Sequence, residues 1–124
     1  DKLRNHFGMS RISQAGALAA LADQNYFNSV VENVAQSRRQ IIEIAESNDL
    51  SALPSAANFV AIDCGRDGDF ARAVLSHMVA NGIFIRMPAI APMDRCIRVS
   101  CGDAAAMAAF AQALPLALEA ARSA

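Results

Sequence analysis

The residues of this chain with the clearest chemical demand are arginines set in β-type stretches. In Cys96-Ile97-Arg98-Val99-Ser100 the two-residue period of a strand sends Ile97, Val99 and Cys101 to one face and Arg98 with Ser100 to the other. A guanidinium on a half-buried sheet face needs an anion to offset its desolvation. Ile83-Phe84-Ile85-Arg86 ends on a second such cation. The planar fork of an arginine matches the paired oxygens of a carboxylate or phosphate, so the chemistry on offer is the gripping of an anionic ligand. The plainer alternative is an edge-strand arginine that pairs with a local carboxylate or discourages association of sheet edges.

Other chemistries find little support. The sole lysine, Lys2, stands in a charged stretch at one end and makes a poor Schiff-base residue, which needs a desolvated and positioned amine. His6 and His77 are far apart, with no cysteine or carboxylate at metal-ligand spacing, so a surface or packing role is expected and no metal site. Gly65, Gly68 and Gly82 form no phosphate loop and mark turns, and the nucleophile elbow GxSxG is absent. Three cysteines, Cys64, Cys96 and Cys101, are odd in number and form no CxxC pair, against a disulfide framework or zinc cluster and in favour of a reducing cytoplasm.

The elements that must position the arginines follow from periodicity. Ser10 or Ser13 can cap a short, tightly packed helix running through Ala17-Leu18-Ala19-Ala20-Leu21. Phe27, Val30, Val31, Val34, Ile41 and Ala45 fall on one stripe of a long amphipathic helix that ends near Asn48. Pro54 disfavours further helix, and Asn58 to Asp63 alternates as a strand before the turn at Gly65-Arg66-Asp67-Gly68. Phe70, Val74 and Met78 predict a helix that leaves through Asn81-Gly82. Ile83 to Arg86 and Cys96 to Cys101 are predicted strands, separated by a proline-bearing segment. Met107, Phe110, Leu114 and Leu118 share a face of a last helix, which Pro115 is expected to kink or restart. The predicted fold is α+β: a two-layer small domain, helices packed on a small, mainly antiparallel sheet of about three strands.

With 54% hydrophobic residues in 124 positions, the chain carries more apolar surface than a small monomer easily hides, which predicts a partner surface. Eleven basic against 12 acidic residues leave no excess of positive charge for a nucleic-acid backbone or an anionic membrane, and neither partner is expected. The apolar stretch from Ala104 to Leu118, interrupted by Gln112 and Pro115, falls short of the roughly 20 residues a bilayer requires.

Four short motifs then occur in order: Ala17-Leu18-Ala19-Ala20-Leu21, Leu53-Pro54-Ser55-Ala56-Ala57-Asn58-Phe59-Val60, Gly82-Ile83-Phe84-Ile85-Arg86 and Ile97-Arg98-Val99-Ser100-Cys101-Gly102. Together they resemble the C-terminal portion of class I/II (fold-type I) aminotransferases, most closely the histidinol-phosphate branch. Arg4-Asn5-His6-Phe7-Gly8-Met9-Ser10 resembles a Pro-Phe-Asn stretch of that branch, with His6 and Gly8 in place of Pro and Asn. Ala104-Ala105-Ala106-Met107 departs from the usual Glu and Asn. The resemblance implies that residues 1–124 are a C-terminal small domain, its helical segment 1–49 linking to a large domain upstream of Asp1. That missing part would carry the Schiff-base lysine and the other contacts to pyridoxal 5'-phosphate, so this piece alone would be inactive and supply no catalytic or cofactor-binding residue. Arg98 would clamp the substrate anion, with Arg86 and Asn58 as further substrate-binding candidates. A homodimeric cytoplasmic enzyme is implied, passing an amino group between an amino acid or amino-alcohol phosphate and a 2-oxo acid. The readings beside it are a sister enzyme such as a threonine-phosphate decarboxylase, and a non-enzymatic α+β module that binds a small ligand.

Overall fold

The computed structural model describes residues 8–123, which fall into two compact units divided between Glu32 and Asn33. In the first unit, helix α1 (Arg11–Ala22) starts where the Ser10 hydroxyl accepts a hydrogen bond from the Ser13 amide at 3.1 Å. Helix α2 (Gln24–Glu46) follows after one residue. Asp23 serves both: its amide donates to the Ala19 carbonyl at 3.2 Å, ending α1, and its carboxylate accepts from the Tyr26 amide at 3.0 Å, opening α2. Such a side-chain cap satisfies an amide that would otherwise lack a partner. α1 buries none of its residues, and Ile12, Leu18 and Leu21 are 70–85% exposed. The expectation of a tightly packed helix is thereby corrected: among the described residues its apolar side chains are left exposed. Phe27 and Val31 at the start of α2 are likewise more than half exposed, whereas Ser37, Ile41 and Ala45 further along the same helix are buried.

The second unit contains the sheet. α2 ends one turn before Asp49, which takes the left-handed conformation at φ 60°. Strand β1 (Ser51–Ala52) then pairs antiparallel with β2 (Phe59–Asp63), and β2 pairs antiparallel with β3 (Cys96–Ser100) in the order β1-β2-β3. Between β2 and β3 run helix α3 (Gly68–Ala80) and a single 3-10 turn (Met93–Arg95). The Asp67 carboxylate caps α3 by accepting from the Phe70 amide at 2.9 Å. Gly82, at φ 78°, supplies the left-handed exit that a residue with a Cβ rarely adopts, and the Ile83 amide bonds back to the Met78 carbonyl at 2.9 Å. Helix α4 (Ala104–Ser123) closes the unit.

The α+β class and the three-stranded antiparallel sheet agree with the sequence reading, but one strand differs. Ile83 to Arg86 is not a strand: the Ile83 amide is consumed by the exit of α3, and only Arg86 pairs with β3, as an isolated bridge to Arg98. Pro88 lacks the amide needed to extend that pairing. The third strand is instead the two-residue β1, too short to leave a pattern. α4 runs unbroken through Pro115, so the helix does not restart there. It is also 20 residues long and apolar enough to cross a bilayer by length and composition, which corrects the reading of that stretch as too short. Here its apolar face is packed: Phe110, Leu114 and Leu118 are almost wholly buried, each contributing roughly 1.5–3 kcal/mol by leaving water.

The core lies against one face of the sheet. Val60 and Ile62 of β2 stand opposite Val99 and Ile97 of β3 and join Ile41, Ala45, Phe70, Val74, Met78 and the α4 residues in one cluster. A buried hydroxyl stitches α2 to the start of α4, with Ser37 Oγ accepting from the Gly102 amide at 3.0 Å. Gly102 is needed at that junction, since a Cβ there would meet the Ala106 Cβ at 2.8 Å.

Candidate functional site

Strand alternation leaves Phe59, Ala61 and Asp63 of β2, with Cys96, Arg98 and Ser100 of β3, on the face away from the core cluster. Arg98 stands at the centre of this outer face, half-buried, opposite Ala61 on one side. On its other side it faces Arg86, the two residues exchanging both backbone hydrogen bonds, at 3.1 and 2.6 Å. Directly paired residues project to the same side of a sheet, so two guanidinium-bearing residues share one patch. The Arg98 guanidinium carbon lies 4.9 Å from the centroid of the Phe59 ring, and that of Arg86 lies 5.7 Å from the Phe84 ring. Both distances suit an attractive cation–ring contact, which steers a planar guanidinium without consuming its donors.

Two like charges set opposite one another destabilise a sheet unless an anion lies between or beside them. Among the described residues neither Arg98 nor Arg86 has a carboxylate within ion-pair distance; the two ion pairs present are Arg95 with Asp63 and Arg72 with Asp69. Pairing of Arg98 with a local acid is therefore not what these residues show; the other plain role, discouraging association of sheet edges, is not addressed by the ion pairs. Asp63, the nearby candidate, has its Oδ1 occupied by Arg95 Nε at 2.9 Å and by the Gly65 amide at 2.8 Å. The arrangement presents two guanidinium-bearing residues on one side of the sheet, a charge pattern that suits a doubly charged or bidentate anion.

Asn58 stands exposed at the entry of β2, and its carbonyl accepts from the Cys101 amide at 2.8 Å. That bond continues the β2–β3 ladder, so the residue has an evident structural role at the end of the strand, and alternation puts it in phase with Val60 and Ile62 rather than with Arg98. Sequence reasoning thus named both cations but missed Phe59 and the Arg95–Asp63 pair. The two-residue period put Phe59 and Asp63 on one face; what it could not supply was the register that carries them to Arg98. His6, Lys2 and the stretch Arg4-Asn5-His6-Phe7 lie outside the described residues.

Cys64 and Cys96 are poorly placed to act as nucleophiles. Cys64, Cys96 and Cys101 are unbonded, and the first two are buried. Burial pushes the Cys64 thiol up to about 11 from an ordinary value of 9.0, and burial likewise raises that of Cys96, so both are neutral near pH 7. A concavity of about 330 Å³, bordered by Ile83, Phe84, Val99, Met107 and Phe110, has no charged lining residue.

Residues 1–114 match the family model for aminotransferase class I and II. The chain belongs to that aminotransferase family. Histidinol-phosphate aminotransferase of Bacillus velezensis is 33% identical over 102 residues, covering 82% of this chain and 28% of the relative. Histidinol-phosphate aminotransferase 2 of Thiobacillus denitrificans is 35% identical over 115 residues, covering 89% of this chain and 30% of the relative. Among solved structures, the crystal structure of histidinol-phosphate aminotransferase from Sinorhizobium meliloti, in complex with pyridoxal-5'-phosphate, is 52% identical and superimposes with a TM-score of 0.89 over 96% of this chain and 33% of that one. This aminotransferase chain therefore spans roughly a third or less of the length of the proteins it matches.

Proposed function

We propose that this chain is the C-terminal small domain of a pyridoxal-phosphate-dependent aminotransferase, and that Arg98 is its substrate clamp. The observation that carries the reading is the facing pair Arg98 and Arg86, two cations on one sheet face with no acid partner among the described residues. Family membership and the names of the relatives support the class of reaction: transfer of an amino group from an amino acid or an amino-alcohol phosphate, histidinol phosphate in particular, to a 2-oxo acid.

The described residues do not fit the cofactor itself. They contain no lysine, so none of them can form an imine with pyridoxal phosphate, and its anchoring is assigned to the rest of the polypeptide. When bound there, the cofactor supplies the electron sink for the departure of the substrate's α-proton. The part of this chain is to bind and orient. Arg98 makes two parallel charge-assisted bonds to the substrate's carboxylate or phosphate, the Phe59 ring fixes the plane of the guanidinium, and Arg86 adds a second positive charge from the neighbouring strand position. Asn58 is kept as a further substrate-binding candidate, at the entry of β2. Holding the substrate in register lowers the barrier without any bond making by the clamp.

The exposed apolar residues of α1 and of the start of α2 support assigning segment 1–49 as the link to an upstream large domain, which would cover them in a homodimeric enzyme. Three unbonded cysteines suit a reducing cytoplasm. The deciding experiment is a transamination panel on the full-length protein, with histidinol phosphate and common amino acids as donors against 2-oxo acids. Donor-dependent formation of a new amino acid is expected. Carbon dioxide release that needs no 2-oxo acid would replace this reading with that of a decarboxylase of the same fold.

A further inference from the structure

Asp63 is the one carboxylate that strand alternation places on the Arg98 face of the three-stranded sheet. It pairs with Cys96 while Ala61 pairs with Arg98, which makes Asp63 and Arg98 diagonal neighbours, roughly 7–8 Å apart at the backbone and within reach of a long side chain. A carboxylate left unrestrained at that position would be drawn to the guanidinium, because opposite charges attract strongly where water is partly excluded. The structure shows the acid turned elsewhere. Its Oδ1 accepts from Arg95 Nε at 2.9 Å and from the Gly65 amide at 2.8 Å. Arg95 belongs to the 3-10 turn that leads into β3, and its carbonyl accepts from the Cys64 amide at 3.1 Å, so the turn is tied to the end of β2.

We infer that Arg95 is a positioning residue that sequesters Asp63 and so keeps Arg98 available to the anion of the substrate, an inference that rests on the reading of Arg98 as the clamp. The face then contains an internal competitor for the clamp and a second arginine that neutralises it. Remove Arg95, and Asp63 competes with substrate for Arg98. The competition acts on the free enzyme and is displaced once substrate is bound, so it weakens binding and leaves the chemical step alone.

The test uses the full-length protein and its best phosphate-bearing amino donor. Arg95→Gln is expected to raise KM about tenfold with kcat within about twofold of wild type, as loss of uniform binding predicts. Asp63→Asn removes the competitor while keeping an oxygen for the Gly65 amide, and leaves KM at or below wild type. The double variant Arg95→Gln/Asp63→Asn returns KM to within about twofold of wild type. A second readout is independent of turnover: the rise in Tm given by inorganic phosphate over chloride at equal ionic strength is lost in Arg95→Gln and regained in the double variant. A merely structural ion pair would be broken in both, so equal impairment of the single and double variants overturns the inference, as does an unchanged KM in Arg95→Gln. Arg98→Lys serves as the control: an unchanged KM there overturns the clamp itself and is distinguishable from failure of the sequestration alone.

Discussion

The two faces of the sheet are built from alternate residues of the same strands and obey opposite rules. On the inner face Val60, Ile62, Ile97 and Val99 pair across β2 and β3 and vanish into the core. On the outer face the intervening residues, Phe59, Ala61, Asp63 and Arg98, stay half-buried and include every charge that β2 and β3 carry. One face is satisfied within the chain by dispersion and the loss of water contact. The other is left with two facing cations whose described neighbours do not neutralise them. On the proposed assignment of Arg98 as the clamp, adjacent positions on one strand, Ile97 and Arg98, report on stability and on binding separately, and the contrast can be tested by breaking one without the other.

The largest effect is expected from the inner face. Ile97 is wholly buried, and Ile97→Ala should destabilise the protein by about 2–5 kcal/mol in chemical denaturation, through lost transfer energy and the cavity left behind. The next is at Arg98. Arg98→Lys keeps the charge and discards the fork, and should lower kcat/KM by about 1.5–3 kcal/mol with little change in the denaturation midpoint. A variant of Ile97 that lost activity at full stability, or one of Arg98 that unfolded the protein, would dissolve the distinction between the faces. Arg86 sharpens it further. Exposed and joined to β3 only by its backbone bridge, it should contribute less, and Arg86→Gln should lower kcat/KM by about 1 kcal/mol, mostly through KM.

How far these assignments were legible in the sequence depends on the interaction involved. Local periodicity was enough to put Ile97 and Val99 on one face and Arg98 on the other, and to find the stripes of α2, α3 and α4, because those patterns repeat within one element. Capping by Ser10 and exit through Gly82 were legible for the same reason. What depends on pairing between distant segments was not. The two residues of β1 are recruited by β2, and the apparent strand at Ile83 to Arg86 is claimed by the exit of α3. The contact of Arg98 with Phe59 and the capture of Asp63 by Arg95 span 39 and 32 residues. A strand's alternation states which residues share a face; only its register states which of them meet.

The smallest prediction concerns a thiol on the inner side. Cys64 follows β2 in the inward phase, is 3% exposed and joins the core cluster, and burial raises it to about 11 from 9.0. Below about pH 8 both the folded and the unfolded chain hold this proton, and the group has almost no effect on the slope of stability with pH. From there upward the unfolded thiol ionises progressively, half of it by pH 9, while the folded one does not, so the unfolded state is favoured and stability falls until the folded thiol also titrates. At about pH 9.5 the loss should be below about 1 kcal/mol. Thermal melts from pH 8 upward should therefore show a decline that is shallower in Cys64→Ala, and an identical decline in both proteins would mean that the alkaline loss arises elsewhere. Because Cys64 lies on the inner side, its removal should leave the KM for an anionic donor untouched at pH 8, which separates core from clamp a second time.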